Sequence, residues 1–288
     1  MTEWLCSNCT LLEQLQVTTP IIIVAASLLF ILLERWFPYN KGQRVFRSGF
    51  WVDLIGYGLI QSYLLALLLS EFIYWLDHST GASRFRLVSD WPLWAQVVFF
   101  IILHDLVTYT IHRWQHRSPF LWRFHEAHHS TEYVDWLSGI RSHSLEICLY
   151  QSAEYIPVIL LGASPEVPLI KSIFNSTYGM YIHANLNWRM GPLLYLLNGP
   201  ELHRWHHAQD TPEAYDTNFA TKFSLWDYLF GTIYESKETA TRYGSDVEGF
   251  PKGWVSQHLF AFRGLIKIPK LRRVQSPPKS SDEAVAKG

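Results

Sequence analysis

Uncharged apolar stretches alternate with polar, basic segments along the first two thirds of the chain. Residues 14–33 carry no charge over 20 positions and then meet Glu34 and Arg35, a length that crosses a hydrocarbon layer as a helix. Residues 54–70 are uncharged for 17 positions between Asp53 and Glu71, with Trp51, Tyr74 and Trp75 as interfacial anchors. Residues 91–111 are nearly as long and are interrupted only by His104 and Asp105. Two weaker segments follow, 145–161 and 167–181, joined by Gly162-Ala-Ser-Pro165 as the tip of a hairpin. A soluble core hides one such helix; three in succession predict an all-α integral membrane protein with about four to five membrane-embedded helices.

Basic loops orient these spans. Lys41, Arg44 and Arg47 follow the first, and Arg113, Arg117 and Arg123 follow the third. The excess of positive charge predicts that both regions face the cytoplasm; Arg84 and Arg86 in the opposite loop weaken the bias without reversing it. Glu3 and Glu13 are the only charges before the first apolar run, so that run reads as a retained anchor rather than a cleavable signal. The hairpin tip then lies outside, and residue 183 returns to the cytoplasmic end. A net charge of −1 gives no field for nucleic acid. Cys6 and Cys9 have zinc-pair spacing but lack a second pair, so they read as incidental thiols, and Cys148 as a small apolar residue.

No linker divides the chain into two folds. The expected organisation is membrane helices over 1–94, a histidine-bearing catalytic region over 95–235, and a C-terminal extension over 236–288, disordered after about 275. Residues 252–273 are basic and aromatic, fit to lie on an anionic membrane surface or to serve as an ordinary extension.

Histidine spacing carries the chemistry. His112-Arg-Trp-Gln-His116 is followed by His125-Glu-Ala-His128-His129, and His203-Arg-Trp-His206-His207 repeats the latter 78 residues on. On a helix, positions i, i+3 and i+4 share a face, so each motif aims two or three imidazoles at one point. One ion uses about three or four, so a convergent set of this size implies two. His143 and His183 stand singly at the predicted inner ends of apolar helices and are further candidates. Asp105 shares a face with Tyr109, His112 and His116 and is expected either to accept a proton from a ligand imidazole or to contact a neighbouring helix. Glu146 and Asn187 are further supporting candidates. His78 and His258 fit no cluster and read as solvated. Glu126 lies off the ligand face, so imidazoles dominate the expected site, a donor set that suits iron and zinc alike.

These motifs, from Asp105 to His116, from Trp122 to Ser130 and from His203 to His207, closely resemble the fatty acid hydroxylase/sterol desaturase superfamily of membrane di-iron enzymes. Asn218-Phe and Leu225-Trp-Asp227-Tyr-Leu-Phe-Gly-Thr232 resemble that family's closing motif. The local pattern is nearest the sterol-desaturase and alkylglycerol-monooxygenase branches. The resemblance covers about residues 95–235. It implies two iron ions (Fe2+) on the eight clustered histidines, joined by His183 and His143, with zinc able to substitute. It also implies O2-dependent hydroxylation or desaturation of a membrane lipid (fatty acyl, sterol or ether-lipid type), with electrons from an external donor of ferredoxin, cytochrome b5 or reductase type. The substrate is expected to enter laterally from the bilayer, with Tyr109, Trp114, Trp122 and Trp205 either lining its approach or simply packing. Where some members carry a further HxxxH, this chain has His183 and Asn187. A divalent-metal transporter or a non-catalytic zinc-bound membrane protein would also use many imidazoles; a transporter, however, would place them at the bilayer midplane.

Overall fold

In the computed structural model, residues 10–81, 85–245, 247 and 249–263 are described. The thiols of Cys6 and Cys9, the loop charge of Arg84 and the expected disordered tail lie outside them. The described residues contain no sheet; Pro38 and Leu186 form an isolated antiparallel bridge.

Helix α1 (Leu11–Trp36) opens on a capping box in which Thr10 accepts the Glu13 N–H and Glu13 answers to the Thr10 N–H. A π-helical stretch (Val52–Gln61) runs directly into α2 (Ser62–Thr80), which ends on Gly81 at φ +61°. Helix α3 is Leu93–Arg117. These three segments are long and apolar enough to cross a membrane. Their outer faces fit that solvent: Leu28, Leu68 and Val98 stand exposed, with Trp36, Trp51, Tyr74 and Trp94 toward the ends. Helices α5 (Ser144–Leu160) and α6 (Glu166–His183) form the expected hairpin, turning at Gly162 with φ +66°. Helix α6 packs along α1 and α3, with Phe30, Met180 and Leu186 in one apolar cluster.

Polar groups inside the bundle are paired across helices. Glu154 on α5 faces His104 of α3 at 3.6 Å and Lys171 of α6 at 3.3 Å, and it accepts a hydrogen bond from Asn175 at 2.7 Å. Charges at this depth are costly without partners, so the three helices are tied at one level.

A second, larger tie lies at the polar end. Arg47 clasps Asp135 at 2.5 and 2.8 Å and reaches Asp53 at 2.8 Å, and Arg141 forks onto Asp53 at 2.7 and 3.0 Å. All four side chains are buried. The ladder fastens the π-helical stretch to the loop before α5. Short helices complete the polar layer: α4 (Pro119–His129), α7 (Pro200–His206), α8 (Leu225–Leu229) and α9 (Trp254–Phe260). Part of the basic, aromatic C-terminal stretch is therefore packed rather than laid on a surface. Trp254 fills the space above Gly56, and Arg263 pairs with Glu126 at 2.5 Å.

Removing one partner from a buried ion pair leaves the other charge uncompensated, which costs about 3–5 kcal/mol. Asp53→Ala strands the Arg141 guanidinium, takes one of two carboxylates from Arg47, and should lower the midpoint of thermal unfolding in detergent by many degrees. Leu68→Ala on the outward face of α2 should leave it unchanged; equal midpoints for the two variants would show that the ladder contributes nothing.

Candidate metal centre

Nine of the ten candidate histidines meet at the polar end of the bundle. His112, His116, His125, His129 and His206 form one group, and His128, His183, His203 and His207 form another; within each group the ring nitrogens lie within 4.8 Å of one another. With metal–imidazole bonds of about 2.1 Å, two donors on one ion stand at most about 4.2 Å apart, so each group is close to the geometry of a single ion. The groups share a wall, the His129 and His207 rings lying 4.5 Å apart.

Local sequence explains the convergence. Helix α3 carries His112 and His116 one turn apart at its end. Ser118 then caps α4, with Pro119 in its first turn, reversing the chain so that His125, His128 and His129 face back. Pro200 starts α7 after Gly199 in the same way and sets His203 and His206 on its inner face. His183 is the last residue of α6. Gly139 makes room for it: a Cβ there would fall 2.6 Å from His183 Nδ1.

Carbonyl oxygens fix the protons on these rings. His112 Nδ1 donates to Phe219 O at 2.7 Å, His206 Nδ1 to Thr217 O at 2.8 Å, His128 Nδ1 to Arg141 O at 3.0 Å and His183 Nδ1 to Gly179 O at 2.9 Å. A carbonyl only accepts, so each of these nitrogens holds the proton and each Nε2 presents a lone pair. His125 Nδ1 donates to the Glu146 carboxylate at 2.5 Å. Lone pairs then confront each other: His112 Nε2 is 3.0 Å from His125 Nε2, and His128 Nε2 is 3.3 Å from His183 Nε2. Protonation does not relieve the His128–His183 pair. Burial and neighbouring imidazoles hold His128, His129, His203 and His207 well below the ordinary histidine range, and burial takes His206 down to about 3. Among the described residues, His116 Nε2 and His206 Nε2 are buried without a hydrogen-bond partner. Opposed, neutral, buried acceptors are what a cation satisfies, and the donor set fits two ions.

The supporting residues differ from several expectations. Glu146 touches a clustered ring, as Asp216 does at His116, and it also accepts from Gln115 Nε2 at 3.2 Å. Asp105 touches none. It accepts from Thr221 Oγ1, the Lys222 and Phe223 N–H groups and Trp226 Nε1, because the 221–226 loop brings four donors to it before any ring comes within reach. Tyr109 shares its hydroxyl with Thr232 at 2.7 Å and packs on Phe219, acting on the same loop. Asn187 lies past the end of α6, exposed, its N–H bonded to Phe37 O, so the helical spacing from His183 never forms. His143 stands outside both groups as the cap of α5, where its Nδ1 accepts the Leu145 N–H and its ring lies against His258. His258 is not solvated: Nε2 meets Ser144 Oγ at 2.9 Å. Trp122 packs against the His116 and His129 rings, Trp205 is buried against Tyr234, and Trp114 points outward.

Sequence spacing also passed over the backbone that holds the rings. Asp227 accepts the Phe219 and Ala220 N–H groups and the Thr232 hydroxyl. Asn218, at φ +54°, donates to Leu202 O and Tyr234 O and accepts the Tyr234 N–H. Together they lock the 217–220 strip whose carbonyls orient His206 and His112. The signal for this was Asn218-Phe and Asp227, present in the sequence without an evident task.

A helical membrane bundle carrying two adjoining all-imidazole groups is thus the class this molecule defines. The sequence model of the fatty acid hydroxylase family matches residues 97–232, and in this segment the chain is similar to that family. The chain is 34% identical over 145 residues to ornithine lipid hydroxylase OlsE of Rhizobium tropici, covering 50% of this chain and 44% of that protein. It is 36% identical over 129 residues to alkylglycerol monooxygenase of Danio rerio, covering 45% and 28%, and 27% identical over 141 residues to methylsterol monooxygenase 1-3 of Arabidopsis thaliana, covering 48% and 47%. The chain therefore spans less than half the length of these curated relatives. No solved structure matches it.

Glu146→Gln keeps the size of the side chain but removes the charge facing His125 Nδ1. Loss of such a partner typically weakens metal affinity about 10- to 100-fold, read by competition with a chelator. Gly139→Ala, which drives a methyl into the His183 ring, should lower metal content as well; unchanged affinity in both variants would remove these residues from the support of the site.

Proposed function

We propose that this chain is an O2-dependent di-iron oxidoreductase that hydroxylates or desaturates a membrane lipid, with electrons from an external donor. The observation that carries the reading is the convergence of nine imidazoles into two adjoining groups, with Nε2 atoms facing each other in both. His112, His116, His125, His129 and His206 would hold one ion and His128, His183, His203 and His207 the other. When bound there, a reduced di-iron pair would supply electrons for activation of O2 toward a C–H bond. Hydroxylation exchanges one C–H for C–OH, and the second oxygen atom leaves as water after uptake of two electrons and two protons.

The chain's own contribution is to orient and to exclude. Phe219 O, Thr217 O, Arg141 O and Gly179 O hold their imidazole protons outward, and Glu146 does so for His125 with a negative charge that raises the ring's basicity. Burial of His128, His183, His203 and His207 keeps bulk water from that half of the centre. A ferredoxin or cytochrome b5 type of donor is in keeping with the lack of a nucleotide-binding motif in the sequence. Lys41, Arg44 and Arg47 and then Arg113, Arg117 and Arg123 support a cytoplasmic placement of the centre. Clustering at helix ends favours this reading over a midplane transport site.

Iron loading at about two ions per chain, joined to reductant-dependent O2 uptake in the presence of membrane lipid, is the expected behaviour of the protein purified in detergent. His128→Ala and His206→Ala should each lose metal and all turnover while retaining the helical circular-dichroism signal. Full activity in either variant, or zinc with no O2 uptake in the parent, would overturn the assignment.

A further inference from the structure

A cavity of about 460 Å3 leads from the polar surface to the five-histidine group, whose His116, His129 and His206 form part of its wall. The rest of the wall is unlike an acyl-chain tunnel. Arg117, Arg123 and Arg263 line it, beside Gln209 and Tyr215, and its aromatic floor is Trp122. Three guanidiniums stand against one carboxylate, Asp216, which is turned to His116 Nδ1 at 3.2 Å. Two of the three are held in place. Arg123 donates to Arg263 O at 2.9 Å, and the Arg263 guanidinium lies over the Phe260 ring at 4.3 Å while pairing with Glu126. Arg117 is exposed at the end of α3.

The surroundings say what kind of molecule comes to this basic mouth. Trp114, one turn before Arg117 on α3, and Phe120, at the start of α4, are 60% and 58% exposed. Large apolar side chains beside arginines where a spanning helix leaves the bilayer mark the lipid headgroup zone. A cavity of this size takes a headgroup and a few adjoining carbons rather than a whole membrane lipid. Because metal-holding rings are part of its wall, whatever enters has its polar end near the centre and its chains trailing back past Trp114 and Phe120 to the bilayer.

We infer that this cavity binds the anionic headgroup of the lipid substrate through Arg117 and Arg123, so that the carbon oxidised lies within a few bonds of that headgroup. The inference rests on the oxygenase reading and specifies its substrate class: an acidic amphiphile attacked at its polar end, not in mid-chain. Guanidinium–phosphate contacts are bidentate and directional, which fixes the headgroup and hence the neighbouring carbon.

The test uses metal-loaded protein in a non-ionic detergent and calorimetric titration with dihexanoyl phosphatidic acid. Saturable binding is expected, and Arg117→Gln/Arg123→Gln should weaken it about 10- to 100-fold, as for loss of charged hydrogen bonds. Arg44→Gln, an exposed basic change away from the cavity, should have no effect, and metal content should be equal in all. Dihexanoylglycerol, which lacks the anion, should bind at least tenfold more weakly. Equal affinity for dihexanoylglycerol overturns the headgroup assignment. Inorganic phosphate binding as tightly as the lipid overturns it in favour of a free-anion site. Slower reduction of the double variant by an acidic ferredoxin, with phosphatidic acid binding intact, overturns it in favour of a donor dock. Titration needs no turnover, so a protein that binds the lipid but takes up no O2 sinks the oxygenase reading alone.

Discussion

The arrangement around which this molecule is built is electrostatically unfavourable by itself. Imidazoles are buried with their Nε2 atoms facing one another at about hydrogen-bond distance. Left free, the rings would turn or take up protons. Five of the nine are kept from turning because the opposite nitrogen is committed, to carbonyls for His112, His128, His183 and His206 and to a carboxylate for His125. The fold thus fixes the unfavourable geometry in advance, and a cation removes the conflict.

Much of the remaining architecture supports those outer nitrogens. The Asp135–Arg47–Asp53–Arg141 ladder sets the main chain whose Arg141 carbonyl holds His128. Asp105 and Asp227 gather the N–H groups of the 219–223 strip, and that strip's Phe219 carbonyl holds His112. Even the π-helical stretch takes part, since it carries Asp53. Buried ion pairs are a poor source of net stability; here their directional contacts keep backbone carbonyls in register with rings on three other helices.

This explains what could be read in advance and what could not. Helical spacing is a local property, so the apolar spans and the histidines at i, i+3 and i+4 were visible in the sequence, and His183 was within reach because the hairpin returns it to the same end. His143 deceived because it too begins an apolar helix at that end; a cap and a ligand look alike until the ring's neighbours are known. Asp105 was recognised as meaningful, but its partners lie 116 residues or more away along the chain, beyond any periodic signal. Carbonyl oxygens carry no residue identity at all. The holders of His112 and His206 were therefore invisible, although the Asn218 and Asp227 that place them were in plain view.

The two histidine groups are not equivalent, and the difference bears on function. The departure at Asn187 leaves the second group with four imidazoles, and all four are buried. Three rings of the first group form part of the cavity wall, and His116 is balanced by Asp216, whose side chain is 59% exposed. Exchange with the outside is thus channelled to one group while the other is enclosed by helix and loop. An arrangement serving only to staple helices together would gain nothing from such asymmetry, since structural sites are closed on every side. One sealed group beside one open group is instead what a centre needs when it must be held firmly and still admit a substrate.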